Sequence, residues 1–322
     1  MPVPKVNLRI AVVQFSPKIG QVQANLLKAR DLCRKLQPRS VDLVCFPEMA
    51  FTGYVFPNST SILPHLEKPR TGPTSEFCSE LAKKLECYVV AGYPEELTEG
   101  EVTYLNSDHE DNHENQPNRQ VGANSAVFYG PDGGWVGGYR KTNLFETDMT
   151  WAKAGDGFVT FDLPSPLRTL SLGICMDLNP HPPALWTLVE GPYEIADYCI
   201  CKKTNVLVLL NAWLDSGKET DEEHDWSVLN YWAARLRPLW NSESESDTDS
   251  ADVENIAEDL AVSHVPGEET IVVICNRTGS ENEKTFAGSS AVFSMHKGSG
   301  RPKLLDMMSR TEEGIRVWNL LI

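Results

Sequence analysis

The chain has 322 residues, a formal net charge of −16, 41% hydrophobic residues and eight Trp. A chain this acidic is a poor fit for sequence-independent binding to nucleic acid or to an anionic membrane surface, and no apolar run approaches the roughly 20 residues of a membrane span. The N-terminus lacks a basic stretch followed by an apolar core, so no secretory signal is expected. The eight scattered cysteines suit reduced core thiols in a cytoplasmic protein better than a disulfide framework.

The first strand signal runs from Ile10 to Phe15 and is followed by a helical pattern from Ala24 to Leu36. Val41 to Phe46 is a short apolar run of the kind expected for a strand covered on both faces, and it delivers Glu48 at its carboxyl end. A helix over Thr74 to Leu85 and a strand over Cys87 to Gly92 come next, and the polar stretch 99–120 reads as a long surface loop. Ser125 to Tyr139 reads as a hairpin turned at Gly130-Pro131-Asp132-Gly133-Gly134, with Lys141 just past the returning strand.

Thr169 to Ile174 is again strand-like and runs into Cys175-Met176-Asp177, after which Pro180, Pro182 and Pro183 break the pattern before an expected helix. A nucleophile at a tight strand-to-helix turn is exposed by geometry. Further strands at Val206 to Leu210, Thr270 to Cys275 and Ala291 to Met295, with a helix at Asp225 to Leu236, complete an alternation that indicates one α/β layered domain. Eight carboxylates lie between Glu243 and Asp259, and no Lys or Arg lies between Arg237 and Arg277. Residues 242–263 therefore read as a solvated acidic insertion with the composition of disordered segments.

Glu48, Lys141 and Cys175 place a carboxylate, an ammonium and a thiol at three strand ends. Singly, each has an ordinary reading as a cap, a surface charge and a core thiol. Jointly they suffice for covalent amide hydrolysis. A thiol with a pKa of about 8.5 needs a base to take its proton, which Glu48 supplies. The oxyanion formed on attack needs fixed donors, for which Lys141 and the N–H of Met176 are the candidates. The leaving ammonia and the attacking water both require proton transfer, again within reach of one carboxyl. Glu146 and Asp148 are candidates for an acid that holds Lys141 charged, with Glu146 the first choice. Tyr54 and Trp213 lie beyond strand ends where a pocket wall is expected, although core packing is the commoner fate of aromatics. Cys199 and Cys201 have no second Cys/His pair at a zinc-like spacing, and the chemistry calls for no metal or other cofactor.

The order Phe46-Pro47-Glu48, Tyr139-Arg140-Lys141-Thr142-Asn143-Leu144-Phe145 and Gly173-Ile174-Cys175-Met176-Asp177, after an Ile10-to-Phe15 strand, resembles the nitrilase superfamily of carbon-nitrogen hydrolases over essentially the whole chain. That resemblance implies a four-layer αββα sandwich. Ile174-Cys175-Met176-Asp177-Leu178-Asn179-Pro180, Asn230-Tyr231-Trp232-Ala233-Ala234-Arg235 and Cys275-Asn276-Arg277-Thr278-Gly279 are similar to the fungal amidases that act on protein N-terminal Asn and Gln. The resemblance implies peptide and protein N-termini as substrates, release of ammonia through a Cys thioester, and a place beside the proteins of an N-degron pathway.

Small-molecule members commonly carry an Arg where this chain has Asn179, which leaves Asp177 without the usual nearby cation. Either a substrate α-ammonium pairs with Asp177, Asp148 or Glu146, or Asp177 is held by another Arg or by backbone N–H groups. Two other functions stay open at this level: an amidase for a small metabolite using the same three residues, and a non-catalytic interaction protein using the acidic insertion.

Overall fold

The computed structural model describes residues 6–104, 119–218, 222–241 and 269–322. The acidic insertion expected at 242–263 lies outside the described residues, as does most of the loop expected at 99–120. At that loop's two ends Thr103–Tyr104 pairs antiparallel with Arg119–Gln120.

Twelve strands form two six-stranded sheets. The first contains β1 (Asn7–Gln14), β2 (Leu43–Cys45), β3 (Tyr88–Glu96), β4 (Gly122–Tyr129) and β5 (Trp135–Arg140), in that spatial order. The second contains β6 (Val159–Asp162), β7 (Thr169–Ile174), β8 (Val206–Asn211), β9 (Glu269–Asn276), β10 (Ala291–His296) and β11 (Lys303–Met307). The last strand, β12 (Gly314–Leu321), returns to the first sheet and pairs antiparallel with β1 from Asn7↔Leu321 to Gln14↔Gly314. Each sheet has a parallel trio, β1-β2-β3 and β7-β8-β9, flanked by antiparallel strands. The two halves thus repeat one plan that no internal sequence repeat announces.

The continuous apolar runs become strands because both of their faces are covered. Ile10, Val12, Leu43 and Cys45 of the first sheet meet Leu172, Ile174, Val208 and Leu210 of the second in a central core. The outer face of the first sheet packs on α1 (Val22–Cys33) and α2 (Pro73–Leu85). Phe77, Cys78, Leu81, Ala82 and Leu85 recur at helical spacing along one face of α2, with Pro73 in its first turn, where a missing N–H costs nothing. The outer face of the second sheet packs on α3 (Glu194–Lys202) and α4 (Trp226–Arg235). Asp225 caps α4 by accepting the Val228 N–H at 3.1 Å. The layer order is therefore α-β-β-α.

One expectation shifts. The segment after Cys175 makes a single 3₁₀ turn, Cys175–Leu178, and the helix expected beyond the prolines begins only at Glu194.

Candidate active site

The reactive groups converge where the parallel strands end, the usual location of sites in open α/β sheets. Glu48 follows β2 in a loop that lies against β3 closely enough that a Cβ on Gly92 would sit 2.6 Å from the Glu48 Cα. Lys141 immediately follows β5, and its backbone is tied to the neighbouring loops by bonds to Asn124 and Gly155. Both side chains are fully buried.

Lys141 Nζ donates to Glu48 Oε1 at 2.7 Å and to Asp148 Oδ2 at 2.6 Å. Asn124 closes the ring, giving Nδ2 to Glu48 Oε1 at 2.7 Å and to Asp148 Oδ1 at 2.9 Å. The Ala212 N–H, at the end of β8, donates to Glu48 Oε2 at 2.7 Å, and the Phe145 N–H donates to Asp148 Oδ2 at 3.0 Å. Burial pulls the lysine towards neutrality, but Asp148 and Glu48 outweigh it and hold the ammonium charged. Burial pushes the Glu48 carboxyl up, against the pull of Lys141, so this group is placed to take up a proton.

Cys175 sits at the turn out of β7 with φ of 44°, a left-handed conformation that a non-glycine residue adopts only under constraint. Its N–H donates to Asn211 Oδ1 at 3.2 Å, which anchors the turn to the end of the adjacent strand. Burial, and then the Glu48 charge, push the thiol pKa up, while Lys141 and the Ala212 N–H act the other way. Burial thus favours the neutral thiol, with the charges of Glu48 and Lys141 acting on it in opposite senses.

Asp177 is also fully buried, but its surroundings differ. Oδ1 accepts from Thr142 N at 3.0 Å, Thr142 Oγ1 at 2.9 Å and Asn143 N at 2.9 Å, and Oδ2 accepts from Tyr139 Oη at 2.7 Å and Ile174 N at 2.8 Å. These donors use its acceptor capacity. Of the two sequence readings of Asp177, this geometry is the backbone-held one. The carboxylate binds the segment after Lys141 to the turn that carries Cys175.

The carbon-nitrogen hydrolase family matches residues 9–201, which include Glu48, Lys141 and Cys175. The chain belongs to this family. Among curated relatives of this carbon-nitrogen hydrolase, the protein N-terminal amidase of Schizosaccharomyces pombe is 29% identical over 97% of this chain and 99% of its own length. The protein N-terminal amidase of Saccharomyces cerevisiae is also 29% identical, over 70% of this chain and 49% of that protein. A nitrilase of Pyrococcus abyssi is 26% identical over 96% of this chain and 88% of its own. Crystal structures of an N-terminal amidase with an Asn-Glu-Ala peptide and with a Gln-Val peptide superpose with TM-scores of 0.76 and 0.75, each at 22% identity over 99% of this chain and 98% of theirs. These neighbours establish the nitrilase fold, the αββα sandwich expected from the sequence.

The structure brings Glu48 and Lys141 into contact and places Cys175 under the charge of both. Glu146 is a correction: its side chain is 72% exposed and faces Lys284 at 3.6 Å, while Asp148, two residues on, is the acid that holds Lys141. The single helical turn Glu146–Met149 points these positions in different directions. Asp148 and Asp177, the other ammonium candidates, are both buried and engaged by protein donors. Tyr54 is buried with its ring 5.7 Å from Lys141 Nζ, and Trp213, half-buried, packs on Tyr231 and Trp232. Met176 is half-buried and its sulfur meets the Asn179 side chain. Sequence reasoning missed Asn124 and Asn211. Their signal was an Asn inside or at the end of a strand buried on every side, where an amide needs a specific partner.

Proposed function

We propose that this carbon-nitrogen hydrolase converts N-terminal Asn and Gln of peptides and proteins to Asp and Glu with release of ammonia. The observation that carries the chemistry is the buried ring of Glu48, Lys141, Asp148 and Asn124 set against the Cys175 turn. The near-complete coverage of both chains in the match to the S. pombe N-terminal amidase supports the substrate class, because the likeness runs through both sheets.

In this reading Glu48 takes the Cys175 proton as sulfur attacks the carboxamide carbon. The C–S bond forms and the carbonyl oxygen becomes an oxyanion facing Lys141 and the Met176 N–H. Glu48 then passes its proton to the nitrogen, the C–N bond breaks, and ammonia leaves a thioester. Water attacks that thioester with Glu48 again as base, which yields the acid and restores the thiol. Tyr54 and Trp213 serve as pocket walls. No helix among the described residues is long and apolar enough to cross a membrane. A cytoplasmic site of action, upstream of proteins that read acidic N-termini as degradation signals, completes the proposal.

The test is kcat/KM for an Asn-initiated peptide against free asparagine and free glutamine. A preference for the peptide of about a hundredfold or more is expected, because contacts beyond the first residue add to transition-state binding. Equal or better hydrolysis of the free amino acids would assign a small-metabolite amidase instead.

A further inference from the structure

Asn124 and Asn211 are each one hydrogen bond from a reacting group, and each has one end fixed by chemistry. The Asn124 nitrogen faces Glu48 and Asp148, and carboxylates accept, so the amide cannot be turned round. Asn211 faces the Cys175 N–H, which only donates, so its oxygen must lie there. Both side chains are completely buried, yet Asn124 Oδ1 and Asn211 Nδ2 have no hydrogen-bond partner among the described residues. Buried amide ends left unpaired cost stability, and proteins keep few of them. The remaining pair is one acceptor on the residue that holds Glu48 and one donor on the residue that holds the Cys175 turn.

We propose that these two free ends receive the scissile primary carboxamide, Asn124 Oδ1 accepting one of its N–H groups and Asn211 Nδ2 donating to its carbonyl oxygen. This rests on the amidase reading and says how that site recognises its reacting group. A primary amide satisfies both ends. A carboxylate offers acceptors alone and sets one against Asn124 Oδ1, so the product acid is rejected. An ester satisfies Asn211 but leaves Asn124 unpaired.

The experiment compares kcat/KM for a peptide beginning with Asn and for the same peptide beginning with the β-methyl ester of Asp. kcat/KM reports the steps up to acylation, and by intrinsic reactivity the ester is the faster substrate. The proposal expects the reverse, an amide-to-ester ratio of about ten or more in the wild type. In Asn124→Ser both substrates lose the bonds that Asn124 gives Glu48 and Asp148, but only the amide also loses its acceptor, so the ratio falls to one or below. In Asn211→Ser both substrates fall together and the ratio is kept. Wild-type preference for the ester, or a parallel loss of both substrates in Asn124→Ser, overturns the proposal. Should Asn124→Ser fail to fold, the wild-type ratio decides alone. Glutamine and its γ-methyl ester give the same comparison if the N-terminal assignment is wrong, so the two failures are distinguishable.

Discussion

Two buried carboxylate sites flank the Cys175 turn, and they are solvated in opposite ways. Asp177 is surrounded by five neutral donors from three segments and has no ion-pair partner among the described residues. Glu48 and Asp148 share a single ammonium, Lys141, and a single amide, Asn124. Burial pushes the Asp177 carboxyl up as it does Glu48, but here fixed backbone N–H groups and the Tyr139 hydroxyl act against it and hold Asp177 as a brace. Two carboxylates share one cation at the other site, and there burial pushes Glu48 up, with the neighbouring Asp148 charge adding to it against the pull of Lys141. Proximity to the nucleophile does not make an acid catalytic; the way its charge is compensated does.

The largest effects belong to the shared-cation site. Cys175→Ala and Glu48→Gln should each lower kcat by about 10⁴-fold or more while the folded state persists, measured as ammonia release alongside circular dichroism. Asp148→Asn should lower kcat by about a hundredfold or more, since Lys141 loses one of its two anchors, whereas Glu146→Gln should stay within about twofold. A larger loss in Glu146→Gln than in Asp148→Asn would invert the assignment.

The brace should respond in stability. Asp177→Asn turns an acceptor into a donor among groups that already donate, and should cost about 3–5 kcal/mol in chemical denaturation, with a smaller loss of kcat per folded molecule than Asp148→Asn. Another buried carboxylate, Glu67, sharpens the rule. Among the described residues its carboxylate accepts only from Thr74, N–H at 2.8 Å and Oγ1 at 2.7 Å, and burial raises its pKa from 4.5 to about 7 against those two bonds. The folded protein therefore binds this proton more tightly than the unfolded chain does. The contribution, up to about 3 kcal/mol, is complete below pH 4.5 and is lost as pH rises through about 7. Glu67→Gln should flatten the stability profile across that window, and an unchanged slope would show that Glu67 does not carry it.

What the sequence disclosed follows from burial. Strands such as Val206–Asn211 are apolar up to their last residue because both faces are covered, so their positions and the reactive residues at their ends are readable. The paired layers follow from the alternation of strands and helices. Asp148 was not separable from Glu146, since one turn of helix decides which carboxyl meets Lys141 and both lie within a few residues of it in sequence. Asp177 was left with two readings for a related reason: its donors Tyr139, Thr142 and Asn143 lie more than thirty residues away, so neutral donors and a charged partner could not be told apart before the fold is known. Asn124 and Asn211 were missed because an amide at a strand end reads as punctuation until the neighbouring strand is known.

The central claim is tested most directly by mass spectrometry of two peptides that differ only at the amino end, one beginning with free Asn and carrying a second, internal Asn, the other Nα-acetylated. The account predicts conversion of the N-terminal carboxamide alone to the acid in the first peptide, and no conversion in the second. Equal conversion of both peptides, or of the internal Asn, would contradict it.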